Sequence, residues 1–416
     1  MFKRDCFGVW MAMEYDLCIV GTGLWGSAAA RHASKSTGRK VCLIGPSEPT
    51  QQERPEREIF SSHYDAGRNV RKYQGTNHYR CLLSMRTLAN LRELEKISGT
   101  KLFNEVGHLM YGEKLHEQLS PIAQEAGIFL SASQLRDRYP FLDISQYSDT
   151  SFLFPHDAGY VNPRLLVGTQ QRVAKQQGCD IIDDVVESVT ETKTDDGEPV
   201  MRVTTTRGRT LSAKKVLLCT GVFTNFKKLL PLHLKLDFKI NGTFLVKLEV
   251  ARSDLERFGT MPCTSSYTNT SVDSYSLPPI QYPDGNYYMK IGQLGNDGHV
   301  PLTTLQEVKE FYVSTKTDDA SVNVFKNIMV DIVKGFSPLS VQSETCSVLE
   351  TPSKLPYCDM VSPRLGIAIG GNGLGAMMSD EMGRMAAEMI GATEGWNLDI
   401  PKEQLRARFV LPKPNL

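Results

Sequence analysis

The sequence predicts an α/β fold: a Rossmann-like, dinucleotide-binding domain with a central parallel sheet, joined to a second domain on a mixed, largely antiparallel sheet. Three observations predict it. A strand-like apolar run near the amino end leads directly into Gly21-Thr-Gly-Leu-Trp-Gly26, a second glycine-rich strand-to-helix junction stands at Gly370-Gly-Asn-Gly-Leu-Gly375, and the strands between them change from continuously apolar to alternating. Continuous apolar strands belong to parallel sheets covered on both faces, whereas alternation belongs to antiparallel sheets with one face less buried.

Residues 15–20, Tyr-Asp-Leu-Cys-Ile-Val, have the composition of a strand buried on both faces, and the G-x-G-x-x-G follows without a spacer. Ser27-Ala-Ala-Ala30 opens a helix reaching about Ser36, Gly38 stops it, and residues 41–44 supply the second strand of a βαβ unit. Each glycine has a task there: Gly21 permits the tight turn, Gly23 lets a pyrophosphate approach the backbone, and Gly26 lets helix and strand pack closely. Leu24 and Trp25 lie at the helix start, whose free N–H groups and partial positive charge suit an anion. A lone G-x-G-x-x-G often marks only a loop; the flanking elements raise this one to a dinucleotide site. One feature of the pattern is missing, because Ile44 is followed by Gly45-Pro-Ser-Glu48 rather than by an acid for a ribose hydroxyl. That contact is left to Ser47, Glu48, backbone or water, and the motif alone does not separate NAD from FAD.

A chain of 416 residues has room for two domains, or for one large domain with an inserted lobe. Lysine plus arginine and aspartate plus glutamate both number 47, so the formal charge is zero and no long charged run points to nucleic acid or an anionic membrane surface. No apolar run reaches spanning length. A soluble, cytoplasmic protein is expected, with peroxisomal residence as the alternative, although Pro414-Asn415-Leu416 is not the Ser-Lys-Leu address. Residues 1–13 lack an apolar core and a small-residue cleavage site, so they read as an extension rather than a signal peptide. Nine cysteines, with Cys18, Cys42 and Cys219 inside apolar runs, suit buried thiols in a reducing compartment. There is no C-x-x-C and the eight histidines are scattered, so no metal site is expected.

Further along, residues 60–71 are too polar for a core element. A helix there would put Arg68 and Arg71 on one face, and the simpler reading is a solvated loop end. Residues 79–97 read as a helix striped by Leu88, Leu91, Leu94 and Ile97 and stopped by Gly99. A strand over 105–111 and helices over 113–127 and 133–139 follow. Asn162 as N-cap and Pro163 at the first helical position fix the start of a helix reaching Gln177. Strands are expected over 181–189, 201–206 and 216–219, the last ending at Thr220-Gly221, a terminus suited to close approach by a ligand. Residues 243–250 alternate, Phe244, Val246, Leu248 and Val250 against Lys247 and Glu249, as in a half-buried antiparallel strand. Over 287–292 the period puts Tyr288 and Lys290 on one face, where a lysine is ordinarily solvated. A surface-packed helix over 318–333, a buried strand over 365–369 and a helix from about Ser379 to Ile390 complete the chain. The second glycine-rich junction would aim another positive helix end at a ligand.

Four of these features, spread over residues 15–390, together resemble the FAD-dependent amine and amino-acid oxidases of the D-amino-acid oxidase superfamily. The resemblance is strongest to the monomeric sarcosine oxidase and N-methyltryptophan oxidase branch, with pipecolate and fructosyl amine oxidases as near relatives. The first feature is the amino-terminal glycine motif. The second, Arg68-Asn-Val-Arg71, is similar to an R-x-x-R whose first arginine lies against the flavin ring and whose second binds the substrate carboxylate. The third, Lys290 in Tyr288-Met-Lys-Ile-Gly292, is similar to a K-x-G strand whose lysine sits near flavin N5 and assists the reaction with oxygen. The fourth and most specific is Cys346 in Cys346-Ser-Val-Leu-Glu-Thr-Pro352 with Asp359 beyond, similar to a segment whose cysteine sulfur is bonded to the flavin 8α-methyl. Cys358 lies close to Asp359 and suits a structural thiol better.

The resemblance implies a glutathione-reductase-like FAD-binding domain from residues 14–78, 150–226 and 340–395, a substrate domain from 79–149 and 227–339, and a tail over 396–416. It implies FAD held by Gly21, Gly23, Leu24, Trp25, Gly26, Ser47, Arg68, Thr220, Gly221, Gly371, Asn372, Gly373, Leu374 and Gly375 and linked covalently to Cys346, with Lys290, Arg71 and Arg68 as catalytic residues. The implied reaction oxidises a secondary amine or N-substituted amino acid to an imine and reduces oxygen to hydrogen peroxide, in a monomer. There are departures: Val348 replaces a common aromatic, Ser353 an Asp, Gly67 a hydroxyl residue, and Gly375 a lysine that shares the substrate carboxylate. Arg71 is left as the evident carboxylate clamp, which argues against sarcosine itself and for a bulkier or differently charged amine. No acidic base is evident, consistent with an amine that reacts in its neutral form.

Taken singly, each residue has a blander reading: surface arginines, a solvated strand lysine, a buried thiol. Their joint occurrence in this order weighs against that. Three alternatives stay open: an FAD dehydrogenase using another acceptor, which Lys290 argues against; a flavin-binding redox module without turnover; and an NAD-dependent dehydrogenase, which would leave Cys346 and the second glycine-rich junction without a role.

Overall fold

The structure, a computed structural model, describes residues 13–35, 38–194, 197–269, 272–295, 299–314, 319–391 and 399–410. Of the expected extension and tail, residues 1–12, 396–398 and 411–416 lie outside the described residues, as does position 318 at the start of the expected 318–333 helix. Strand Met13–Val20 pairs in parallel with Val41–Gly45 on one side and Thr210–Leu218 on the other. Asp180–Asp183 extends the sheet beyond Val41–Gly45. Leu365–Ile369 joins in parallel at the end of Thr210–Leu218, so both strands that feed the glycine-rich junctions flank that one strand. Val186–Lys193, Pro199–Thr205 and Tyr357–Ser362 complete an eight-stranded sheet as antiparallel additions.

The continuously apolar strands follow from burial on both faces. Leu17, Ile19, Val41 and Leu43 enter one core with the helices, while Cys18, Val20, Cys42 and Ile44 enter a second core on the opposite face. Helix Leu24–Ala33 packs against Ser379–Gly391 and Pro163–Gln176. The approach is close: a Cβ on Gly383 would stand 2.4 Å from the Ala28 Cβ. Arg31 and Asp380 form a buried ion pair at 2.8 Å, and Gln170 accepts from Arg31 at 2.5 Å and donates to Asp380 at 2.6 Å. That network pins three helices, and its members satisfy one another, without which a buried pair would be costly.

Local signals account for several helix ends. The Asn162 side chain accepts from the Leu165 amide at 3.1 Å, with Pro163 in the first turn. Helix His78–Ser98 is capped by Asn77 and ends at Gly99 with φ +64. Its stripe stops a turn early: Leu88, Leu91 and Leu94 are buried, but Ile97 is 57% exposed. The helix expected over 113–127 breaks into a short turn, Leu115–Gln118, and Pro121–Glu125, because Pro121 has no amide for a continuing ladder and starts a new helix capped by Ser120. The strand expected over 181–189 is two, Asp180–Asp183 and Val186–Lys193, parted at buried Asp184, whose carboxylate accepts from the Val185 amide.

The second sheet has nine strands and is antiparallel except where Cys263–Ser266 runs parallel to His108–Tyr111. Its long member, Lys239–Val250, pairs with Tyr287–Gln293, Val341–Glu350 and Val300–Leu302. Thr150–Phe154 and Val341–Glu350, which boundaries at 150 and 340 assign to the first domain, are strands of this sheet. Such a boundary depends on which backbone a strand pairs with, and composition does not record that. The half-buried alternation expected over 243–250 also needs correction. Lys247 is buried, pairs with Glu344 at 2.5 Å and lies over the Tyr282 ring, and its cross-strand partner is Lys290. A third, three-stranded sheet joins Arg68–Arg71 to Ala158–Val161 and Phe103–Asn104. Among the described residues no helix is long and apolar enough to cross a membrane.

Candidate active site

The first glycine-rich turn has the geometry its spacing implies. Gly21 has φ +114, and a Cβ on it would lie 2.4 Å from the Cys219 carbonyl oxygen. A Cβ on Gly26 would stand 1.8 Å from the Gly21 carbonyl oxygen, so Gly26 serves helix–strand packing. Gly23 is the N-cap of Leu24–Ala33 and supplies no capping side chain, and the helix has no acid in its first turn. Its leading amides are therefore left for an external acceptor. Gly45, where an acid for ribose was missing, faces Thr22 so closely that a Cβ would be 2.8 Å from the Thr22 nitrogen.

At the other junction the chain does not pass directly from glycine to helix. Turns occupy the residues after Ile369 and the helix starts at Ser379, as expected, so what the glycine-rich segment offers a ligand is a loop of backbone rather than a helix end. Asn372, with φ 48, holds it: its side chain accepts from the Thr351 amide at 2.9 Å and donates to the Gly370 carbonyl at 2.7 Å. The Thr-Pro pair after Cys346 thus anchors this loop. Trp25 Nε1 donates to the Gly375 carbonyl at 2.8 Å and joins the two glycine-rich segments.

Both segments line one cavity of about 680 Å³, within the ~300–1,000 Å³ usual for cofactor and ligand sites. Of the residues singled out in the sequence, Gly21, Gly23, Leu24, Trp25, Arg68, Arg71, Thr220, Gly221, Cys346 and Gly371 to Gly375 line it. Gly26, Ser47 and Lys290 do not. Ser47 is turned to Asp183, which accepts from its amide and its hydroxyl at 2.9 Å each, and Glu48 is taken by Arg164. The cavity fits FAD in three features: an uncapped helix end, a Gly221 at φ +53 with nothing within 4 Å of a built Cβ, and room for a long ligand between the two glycine-rich segments.

Cys346 lies on Val341–Glu350 opposite Thr243 and faces the cavity. Cys358 is fully buried against Met389, 3.8 Å between sulfurs. Cys219 also reaches the cavity, but at the first glycine turn, and burial raises its thiol pKa.

Arg68 and Arg71 stand on a strand, not on a helix or a solvated loop end. Alternation separates side chains three residues apart on a strand, and the two have different surroundings. Arg71 is 6% exposed; its Nε donates to the Tyr73 carbonyl at 3.1 Å and its Nη1 to His108 Nε2 at 2.9 Å, while Nη2 makes no hydrogen bond among the described residues. Arg68 forms an ion pair with Asp65 and donates to the Ser62 carbonyl at 3.0 Å. Lys290, expected beside the reacting ring, is fully buried behind the wall, 2.6 Å from Asp65 and bonded to the Gly67 carbonyl. Burial first, then the Arg68 guanidinium, pushes its pKa well below the usual lysine range. Gly67 fits here because a Cβ would lie 2.6 Å from Ile280 Cδ1.

Sequence reasoning missed Asp65 and His108. Asp65 stands three residues before Arg68 in a stretch too polar for a core, a signal readable only once the segment is known to be buried. His108 is fully buried, and since arginine offers only donors its Nε2 must accept, so the ring is neutral. Burial, then Arg71, holds its pKa well below 6.5. The unfolded chain takes up this proton near 6.5 and the folded chain does not, so His108 contributes a loss of stability as pH falls below about 6.5. Melting temperature should fall between pH 7 and pH 5, and His108→Gln should make that fall shallower; an unchanged slope would contradict a neutral His108.

Residues 16–389 match the family described as DAO, FAD dependent oxidoreductase. An N-methyl-L-tryptophan oxidase of Yersinia pestis (strain Pestoides F) is 27% identical over 225 residues, 53% of this chain and 56% of that protein, so the match spans about half the length of this curated relative. Among solved structures, NikD, an unusual amino acid oxidase essential for nikkomycin biosynthesis, superposes with TM-score 0.73 at 19% identity, over 96% of this chain and 99% of that one. Glycine oxidase from Bacillus cereus ATCC 14579 gives 0.65 at 17% identity, over 96% and 100%. L-proline dehydrogenase from P. horikoshii gives 0.65 at 17%, over 95% and 97%. At such identities the solved structures speak for the fold, and with the family match over most of its length the chain belongs to the DAO family of FAD dependent oxidoreductases.

Proposed function

We propose that this protein oxidises a secondary amine or N-substituted amino acid to the imine, which water hydrolyses, with oxygen reduced to hydrogen peroxide. The observation that carries this reading is the single cavity bounded by both glycine-rich segments, Arg68, Arg71 and Cys346. Bound FAD would supply the two-electron redox chemistry. The chain's own residues bind, orient and exclude water. The uncapped helix after Gly23 would hold the pyrophosphate, the loop from Gly371 to Gly375 would offer backbone donors, and Cys346 would be the residue placed to carry a covalent flavin. Cys358 is unsuited to that bond, being sealed against Met389.

Arg71 anchors the substrate carboxylate through Nη2 while Tyr73 and His108 hold the guanidinium plane. Gly375, which stands where the resemblance implies a lysine, supplies no cation, which favours an amine bulkier than sarcosine. Its φ is not left-handed and a built Cβ meets only ordinary contacts, 3.7 Å at the nearest, so the absence of a lysine is not imposed by the backbone. Small-molecule amine and oxygen are the implied partners, and a monomer and a cytoplasmic or peroxisomal residence go with the same reading.

The test is an anaerobic titration with N-alkyl amino acids, followed by admission of air. Bleaching of the yellow chromophore by one of them, then oxygen uptake with stoichiometric peroxide, is expected. Bleaching without oxygen uptake would instead make the protein a dehydrogenase, and no bleaching by any amine would leave a flavin-binding module.

A further inference from the structure

We propose that Asp65 is the positioning residue of this site: one buried carboxylate, shared by Arg68 and Lys290, that fixes both side chains at the cavity wall. The proposal rests on the flavin reading for where the reacting atoms lie, but the pairing itself does not.

Asp65 is 1% exposed and Lys290 fully buried. Every acceptor direction of the carboxylate is used. One oxygen accepts from the Ala66 amide at 2.7 Å and from the Tyr282 hydroxyl at 2.8 Å. The other accepts from Lys290 Nζ at 2.6 Å and pairs with Arg68 Nη1. A carboxylate held by a backbone amide and a buried tyrosine has little freedom, so the two cations are located by it rather than the reverse. Arg68 lines the cavity and Lys290 lies directly behind. The fixed anion therefore sets where positive charge stands relative to anything bound there.

The charge balance around Lys290 makes Asp65 decisive. Facing the ammonium are Arg68, Asp65, Glu344, Cys346, Cys263 and the Tyr275 ring, 5.9 Å away, with Lys247 opposite on the neighbouring strand. Lys247 takes Glu344 at 2.5 Å, which leaves Asp65 as the anion bonded to Lys290. Without that charge a dry ammonium would stand beside an uncompensated guanidinium and would release its proton. Losing Lys290 instead leaves Asp65 still paired with Arg68. The two substitutions are thus unequal, which a simple pairwise salt bridge would not require.

The experiment uses the full chain as purified, with Asp65→Asn, Lys290→Met and the double variant. In thermal melting Asp65→Asn is expected to lower the midpoint by roughly 5–10 °C, as expected when a buried charge loses its partner. Lys290→Met should lower it much less, and the double variant should recover at least half of the Asp65→Asn loss. In the flavin-loaded protein, the pH above which oxygen uptake declines should drop by at least about one unit in Asp65→Asn, a shift that a purely structural role would not produce. Additive melting losses, or an unmoved pH limb, would overturn the proposal. If Asp65→Asn is not recovered folded, the double variant decides: recovery supports the pairing, and failure while Lys290→Met alone folds overturns it. A protein that binds no flavin would sink the functional reading, while the melting cycle would still decide the pairing.

Discussion

Replacing Arg71 with lysine is expected to lower kcat/KM for an amine bearing a carboxylate by ~100-fold, mainly through KM, and to change an amine lacking the carboxylate by less than ~5-fold. The size follows from losing one or two charge-assisted hydrogen bonds of about 1.5–3 kcal/mol each. It is expected because two guanidinium nitrogens are already engaged, Nε by the Tyr73 carbonyl and Nη1 by His108, and together they aim the third. An ammonium keeps the charge but cannot serve three directions from a planar fork. Steady-state kinetics on a matched pair of amines, with and without the carboxylate, checks this. Equal losses for both would mean that Arg71 supports the fold rather than the substrate.

Replacing Lys290 with methionine should reduce the rate of oxygen consumption by ~10²–10³-fold, the loss typical of removing one preorganised charge from a dry site. Reduction of the cofactor by amine in the absence of oxygen should change by less than ~10-fold. Lys290 is sealed from water, so its charge acts through a poorly screening medium. Because it does not line the cavity, its influence passes behind Arg68 and Tyr275 rather than by contact. Stopped-flow measurement of the two half-reactions separates these effects. A variant slowed equally in both would place Lys290 in support of the Arg68 strand and not in the oxygen step.

The parts of the fold legible in the sequence are those whose signals are local. The glycine turn, the Asn162-Pro163 helix start and the Gly99 stop each depend on a few neighbouring residues, and the structure has all three. Continuous apolarity marked the parallel strands buried on both faces, whereas the alternation over 243–250 did not mark a half-buried strand, since Lys247 is buried too. What local pattern could not carry was pairing across long separations. Thr150–Phe154 and Val341–Glu350 joined the second sheet through partners far away in the chain. Lys247 and Lys290 looked like solvated strand lysines because Glu344 and Asp65, which make their burial affordable, lie 97 and 225 residues away.

The same division holds at the site. Gly21, Gly23, Arg68, Arg71, Cys346 and the second glycine-rich segment meet at one cavity, a gathering that the resemblance implied and spacing alone did not. Ser47 did not join them, since Asp183 satisfies it; Cys346, which the sequence pattern already favoured over Cys358, lines the cavity, and Cys358 is buried against Met389. Asp65 and His108 could not be read from spacing, because each matters through a partner that folding brings near.

The most direct test of the central claim, a flavin seated in this cavity and tied at Cys346, is acid precipitation of the purified protein beside its Cys346→Ala variant, with absorption spectra taken of pellet and supernatant. A flavin tied at Cys346 gives a yellow wild-type pellet and, for Cys346→Ala, a yellow supernatant over a colourless pellet. A yellow wild-type supernatant would contradict the covalent bond, and a colourless wild type in both fractions would contradict the flavin site itself.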